Sequence, residues 1–374
     1  MAYPPISSEF IPCQDDSSVS LTKAHGARTD RLRWHSQGTG GQVELPVYVD
    51  EWLDPNACAS IEQVVVHVHG KERDGNVAWA DIAAARSRLP IGQQSTTLVV
   101  VPQFLNGLDI TKMHSSNQHG QLLVWKSNGW GEGSASVRPR PLALDQGVSS
   151  FEALDAIVCH YANQHIYTSI KRIVVSGHSM GGQLVHRYSV LGSPPLSPQQ
   201  RLVLKLEYVV MNPASFLYFE PDRIGPPAAV GPTSRGKTKG GRAEILTVSV
   251  QHQNANNYKY GFEKLDVKLP TYRGVQESTD VQFYLKRMLS ERCVAFLHGE
   301  ADRGVGDDRP EALAQGATRY ERAINYHRHL EQMQSKTDVK GGRLWTVDWV
   351  AKVKHDGRAM TTSDAAIARI FQPR

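Results

Sequence analysis

The sequence predicts an α/β protein in three layers, a mostly parallel sheet with helices on both faces. Three observations carry this. Residues 64–68 (VVVHV) and 97–101 (TLVVV) are runs dominated by apolar, β-branched residues, as in strands buried on both faces. Helical periodicity falls between such runs. A Gly-x-Ser-x-Gly turn at residues 177–181 joins one strand to one helix. With 374 residues, 40% hydrophobic, 21% charged and a mean hydropathy of −0.39, the chain can bury a large core without cross-links.

In chain order, residues 1–30 are polar, with Pro4, Pro5 and Pro12, and predict a weakly ordered lead-in without chemistry. Residues 31–36 and 43–49 flank a Gly/Gln-rich stretch and predict a β-hairpin. The clearest helix begins after Ser149, where Glu152 completes the spacing of a capping box and Phe151, Leu154, Ile157, Val158 and Tyr161 share a face. Residues 172–176 form the next buried strand and 183–191 a helix. Further strands are predicted at 205–211, 293–298 and 344–353. In the last, Trp345, Val347, Trp349, Ala351 and Val353 fall on one face. Residues 31–374 thus form one domain, with a cap-like insertion at about 212–291. Within it, 220–242 is rich in Gly and Pro, carries Arg235, Lys237, Lys239 and Arg242, and predicts a mobile surface loop.

Composition excludes several functions. The net charge of +5 is spread along the chain, which argues against a nucleic-acid partner. Cys13, Cys58, Cys159 and Cys293 are scattered, so neither a disulfide framework nor a zinc knuckle is indicated, and a reducing compartment is expected. No run approaches the roughly 18 apolar residues of a spanning helix. The expectation is a cytoplasmic protein with no membrane partner.

The strongest chemical signal is Gly177-His178-Ser179-Met180-Gly181. Its spacing alone is weak in a chain with 31 Gly; the strand before and the helix after make it a nucleophile elbow, a tight turn that lifts the serine hydroxyl above the sheet edge. A serine needs a base, and the base a carboxylate. His355 follows the last strand, and Asp302 follows the strand at 293–298; Glu300, Asp307 and Asp308 crowd the same loop. Asp302 is chosen because it comes directly after the strand-Gly turn, whereas Asp307 and Asp308 stand beyond Arg303 and Gly304, farther from the sheet edge. An oxyanion would take the backbone N–H of Met180 and that of Lys71 or Gly70, in the turn after residues 64–68, with Lys71 favoured. His67 and His69 also fit the spacing of two metal ligands on one strand face, but their best co-ligands already serve the triad, and no metal is expected. Trp125 and Trp130, near His114 and His119, either line a pocket or pack the core; the same choice holds for Tyr258, Tyr260 and Phe262.

These residues resemble the α/β-hydrolase superfamily: GHSMGG around Ser179, His69-Gly70, GEAD ending at Asp302 and HDG beginning at His355. The likeness is greatest to a loosely characterised group of bacterial and fungal serine hydrolases with an NPxS stretch, here Asn212-Pro213-Ala214-Ser215. The resemblance covers residue 31 to the C-terminus. It implies an eight-stranded, mostly parallel sheet, a Ser179–Asp302–His355 triad, no cofactor, and a small-molecule acyl substrate as partner: an ester, lactone or thioester. An acyltransferase with the same triad and a non-catalytic ligand-binding protein are the alternatives. Substrate-binding residues and oligomeric state stay open.

Overall fold

The β-branched runs lie at the centre of one nine-stranded sheet in the computed structural model, which describes residues 6–12, 21–36, 39–53, 57–112, 120–139, 147–223, 254–269, 272–337 and 344–373. Its strands are β1 (Ser8–Pro12), β2 (Ala27–Ser36), β3 (Gly41–Asp50), β4 (Gln63–Val68), β5 (Thr97–Pro102), β6 (Arg172–His178), β7 (Lys205–Met211), β8 (Cys293–Gly299) and β9 (Trp345–Val350). Their spatial order is β1-β2-β3-β5-β4-β6-β7-β8-β9. From β5 to β9 all neighbours are parallel, whereas β1, β2 and β3 join antiparallel.

The expected eight strands are corrected to nine. The extra strand, β1, comes from the segment read as a lead-in and pairs with β2 so that Phe10 stands opposite Leu32. The Phe10 ring meets His160 at 4.4 Å and Tyr161 at 5.7 Å. Pairing and aromatic packing thus order a segment too short and polar to show a strand pattern.

Alternation sorts the central strands onto two faces. Val64, Val66 and Val68 enter one apolar cluster, Val65 the other. The first face is covered by α2 (Ser150–Tyr161), α3 (Met180–Leu191), α4 (Val281–Ser290) and α5 (Arg319–Lys336). The second carries α1 (Gly75–Arg86), α6 (Gly357–Thr361) and α7 (Asp364–Phe371). Ser149 caps α2 by accepting from Phe151 N–H, while Glu152 accepts from the Trp34 indole at 3.2 Å. The last strand ends earlier than expected. Lys352 takes φ +63 in a turn, and Val353 packs with the second cluster rather than beside Trp345 in the first.

Between β7 and β8 the described residues pack along the first helical layer. Phe216 stacks on Tyr326 of α5 at 4.4 Å, and Arg287 of α4 donates to Val190 O at 2.6 Å. Most of 220–242, including Arg235, Lys237, Lys239 and Arg242, lies outside the described residues.

Candidate active site

The turn after β6 is a backbone problem before it is a chemical one. Ser179 holds φ +59 and ψ −118, a conformation disfavoured for a side-chain-bearing residue. It is held there by Ser179 N–H donating to Met211 O at 2.9 Å and by α3 starting at the next residue. The flanking glycines are required sterically. A Cβ on Gly177 would stand 2.6 Å from the Gly181 carbonyl carbon, one on Gly181 would stand 2.6 Å from His69 O, and one on Gly182 2.5 Å from Met211 O. The last two clashes show how closely the elbow nests against the ends of β4 and β7.

His355 lies just beyond β9, and Asp356 after it caps α6 by accepting from Ala359 N–H at 2.7 Å. His355 Nε2 is 2.8 Å from Ser179 Oγ, and Nδ1 is 2.7 Å from Asp302 Oδ2. An ionised carboxylate only accepts, so Nδ1 carries the proton and Nε2 accepts from the serine hydroxyl. Asp302 reaches this position because Ala301 N–H donates to Val353 O at 3.0 Å, binding the acid loop to the histidine loop. Gly299 permits the approach, since a Cβ there would stand 2.9 Å from the Val353 carbonyl carbon. Asp302 is 3% exposed and also accepts from Arg319 Nη1 at 2.8 Å. Burial raises its carboxyl pKa, but the bonds and charges of His355 and Arg319 outweigh burial and hold it below the ordinary value.

Of the other three carboxylates, Asp307 accepts from Tyr260 Oη at 2.8 Å and Asp308 lines the cleft, while Glu300 is exposed. Arg309 lies 3.6 Å from Asp307, and Arg303 stacks over the Tyr320 ring at 3.7 Å.

Gly70, Lys71 and Met180 line the same cleft as Ser179. Their turn is set by His69, whose Nδ1 donates to Gly70 O at 2.9 Å while Nε2 accepts from Phe104 N–H at 3.0 Å. Burial pushes the His69 imidazole down to about 4, so the ring is neutral as this pattern requires. The two-histidine ligand arrangement is therefore not formed. Both His69 nitrogens are engaged by backbone, and its ring packs on Trp130 at 4.7 Å, while His67 Nδ1 meets Ser176 Oγ at 2.9 Å on the other face. Trp125 and Trp130 are fully buried with Phe104 and belong to the core; His114 and His119 lie outside the described residues. Tyr258 and Tyr260 are buried, and the residue between them, Lys259, lines the cleft.

The cleft measures about 640 Å³. Its lining includes five cations (Lys71, Lys259, Arg309, Arg319, Arg358) and six carboxylates (Glu72, Asp74, Asp81, Asp307, Asp308, Asp356) beside apolar residues such as Val77, Met180 and Ala214, so it is mixed in character but rich in charge. Lys259 pairs with Glu132, and burial lowers its pKa despite that partner. Across the cleft, burial pushes Asp81 up to about 6 against the opposing charge of Arg358.

Sequence reasoning missed Arg319 and Lys259, which enter from elements whose spacing bears no relation to Ser179, Asp302 or His355, and it gave no role to His178, although that residue stands inside the elbow motif.

No protein-family model matches the chain, and no curated protein matches it in sequence. Among solved structures it is similar to the poly(3-hydroxybutyrate) depolymerase LpqC of Bordetella parapertussis, at 17% identity and a TM-score of 0.53, over 92% of this chain and 94% of that one. It is also similar to poly(aspartic acid) hydrolase-1 of Sphingomonas sp. KT-1, at 16% identity and a TM-score of 0.55, over 94% of this chain and all of that one. Sheet order, the elbow and these likenesses agree: the chain has the α/β-hydrolase fold.

Proposed function

We propose that this protein is a serine hydrolase that cleaves a carboxylic ester, lactone or thioester through an acyl-enzyme on Ser179. The observation that carries the reading is the continuous hydrogen-bonded series Ser179–His355–Asp302, at 2.8 and 2.7 Å, on the wall of a cleft. Ser179 Oγ attacks the carbonyl carbon as His355 Nε2 takes its proton, and the carbonyl π electrons move to oxygen. Backbone N–H groups of Met180 and Lys71, with Gly70 the alternative to Lys71, stabilise that oxyanion. His355 returns the proton to the leaving oxygen or sulfur, then activates water to release the acid. Asp302 fixes the tautomer and stabilises the imidazolium. None of these steps calls for a cofactor.

The charged lining supports a substrate with a short or polar acyl group over a fatty-acyl one, because a long alkyl chain would have to desolvate carboxylates and guanidinium groups. The two structural neighbours, a depolymerase and a hydrolase, agree with hydrolytic chemistry and leave the acyl group open.

A fluorophosphonate probe tests the reading. It should label Ser179 and no other serine, and Ser179→Ala should abolish labelling and ester turnover while remaining folded. An adduct on another residue would overturn the assignment. In a series of nitrophenyl esters, kcat/KM should fall from acetyl to decanoyl; the opposite trend would reject the polar-substrate part alone.

A further inference from the structure

Asn212 directly follows β7, is 2% exposed and takes φ +44. It touches the segments that carry all three members of the proposed triad. The residue before it supplies Met211 O to Ser179 N–H, and its own N–H donates to Leu297 O of β8 at 3.0 Å. Its side-chain Oδ1 accepts from Gly299 N–H at 2.8 Å, three residues before Asp302. That bond orients the amide, since an N–H can only be met by the oxygen. Nδ2 is left facing two acceptors: Lys354 O, immediately before His355, at 3.4 Å, and His178 Nε2 at 3.3 Å.

The second contact constrains His178. A donor aimed at Nε2 requires a lone pair there, so the neutral ring carries its proton on Nδ1, on the side of Gly357 and Asp81. The His178 ring lies 4.8 Å from that of His355, centre to centre. A proton on Nε2 would add a positive charge beside the imidazolium that forms during turnover. His355 from the loop after β9, His67 of β4, Asp302 from the loop after β8, Arg319 of α5 and Asp81 of α1 surround the ring. Desolvation lowers its pKa to about 3, and His355 and His67 add to the effect.

We infer that Asn212 is a positioning residue: its amide keeps the Asp302 and His355 loops in register with the elbow and holds His178 neutral beside the imidazole that serves as base. The inference rests on the hydrolase reading above.

Asn212→Asp is the deciding variant. It keeps an oxygen for Gly299 N–H but turns the donor facing His178 into an acceptor. The carboxylate favours a protonated His178. The expected result is a kcat about tenfold lower or more, because loops carrying reacting groups lose register, with KM within about threefold of wild type. The acid limb of log kcat against pH should steepen from a slope of one to a slope of two, as a second imidazole must now lose its proton. Ring ¹⁵N NMR, with His178 assigned by its loss in His178→Gln, reads the charge without turnover. Wild-type His178 should stay neutral with Nε2 unprotonated from pH 8 to pH 5, and in Asn212→Asp it should charge within that range.

A wild-type ring protonated at Nε2, or an Asn212→Asp enzyme with unchanged kcat and slope, would overturn the inference. Should the aspartate variant not fold, Asn212→Ser supplies the kcat comparison, where an unchanged value again overturns it, and the wild-type NMR still decides the tautomer. Failure of wild type to react with fluorophosphonate would sink the hydrolase reading, and this inference with it. Wild type and Asn212→Asp labelling at equal rates would sink the inference alone.

Discussion

At the scale of single residues, the site is defined by who accepts and who donates. Asp302→Asn presents an amide to His355 Nδ1, which can leave the imidazole in the wrong tautomer; kcat should fall about 10³- to 10⁴-fold with the fold intact. Glu300→Gln and Asp308→Asn, which change no bond to His355, should each cost far less, and steady-state kinetics on one ester compare the three directly. Arg319→Met removes the donor to the other Asp302 oxygen, leaving it buried without its ionic partner. A fall in kcat/KM of about tenfold is expected, measured under the same conditions. The proposed nucleophile, acid and base were legible because each lies beyond the C-terminal end of a strand, which is where this kind of sheet presents chemistry. Arg319 was not: a guanidinium at the start of α5 shares no spacing with Asp302, and their meeting depends on the path of the chain between them.

At the scale of elements, the glycines divide into those the backbone requires and those it does not. Gly181→Ala would press a methyl group into the carbonyls ending β4, whereas a Cβ on Gly70 meets nothing within 4 Å. Gly181→Ala should therefore lower stability by about 1–3 kcal/mol in urea unfolding and Gly70→Ala by well under 1 kcal/mol. Equal losses would show that the turn after β4 is packed more tightly than its geometry indicates. The same contrast explains what could be anticipated of the elements. β4, β5, β6, β7 and β8 are runs of Val, Ile, Leu and Phe whose burial on both faces is written in composition. The end of β9 was misplaced because the alternation of Ala351 and Val353 continues through the turn at Lys352, and only the left-handed backbone there breaks the face. β1 was missed for the opposite reason: five residues hold too little pattern, and their order derives from β2 and the Phe10 ring.

At the scale of the whole molecule, titration couples to stability. Among the described residues burial holds seven enclosed histidines neutral, with pKa values near 3 for His67, His178, His186, His298 and His329 and near 4 for His69 and His160. In the unfolded chain each binds a proton as pH falls through about 6.5, while the folded protein does not, so unfolding takes up protons and stability falls with pH. Each site contributes up to about 1.4 kcal/mol per pH unit between about 6.5 and its folded value. Urea midpoints at pH 7.5, 6.0 and 5.0 should drop progressively, and an unchanged midpoint at pH 5.0 would show that these rings are charged or hydrated. β1 bears on a different property, the company the molecule keeps. It occupies the hydrogen-bonding edge of β2 from Asp30 to Trp34, so removing residues 1–12 would leave the outer groups of that stretch open to another chain. The truncated protein should keep its cleft yet self-associate through strand pairing in light scattering, and a proline at position 33, placed on that bared edge, should reduce the association.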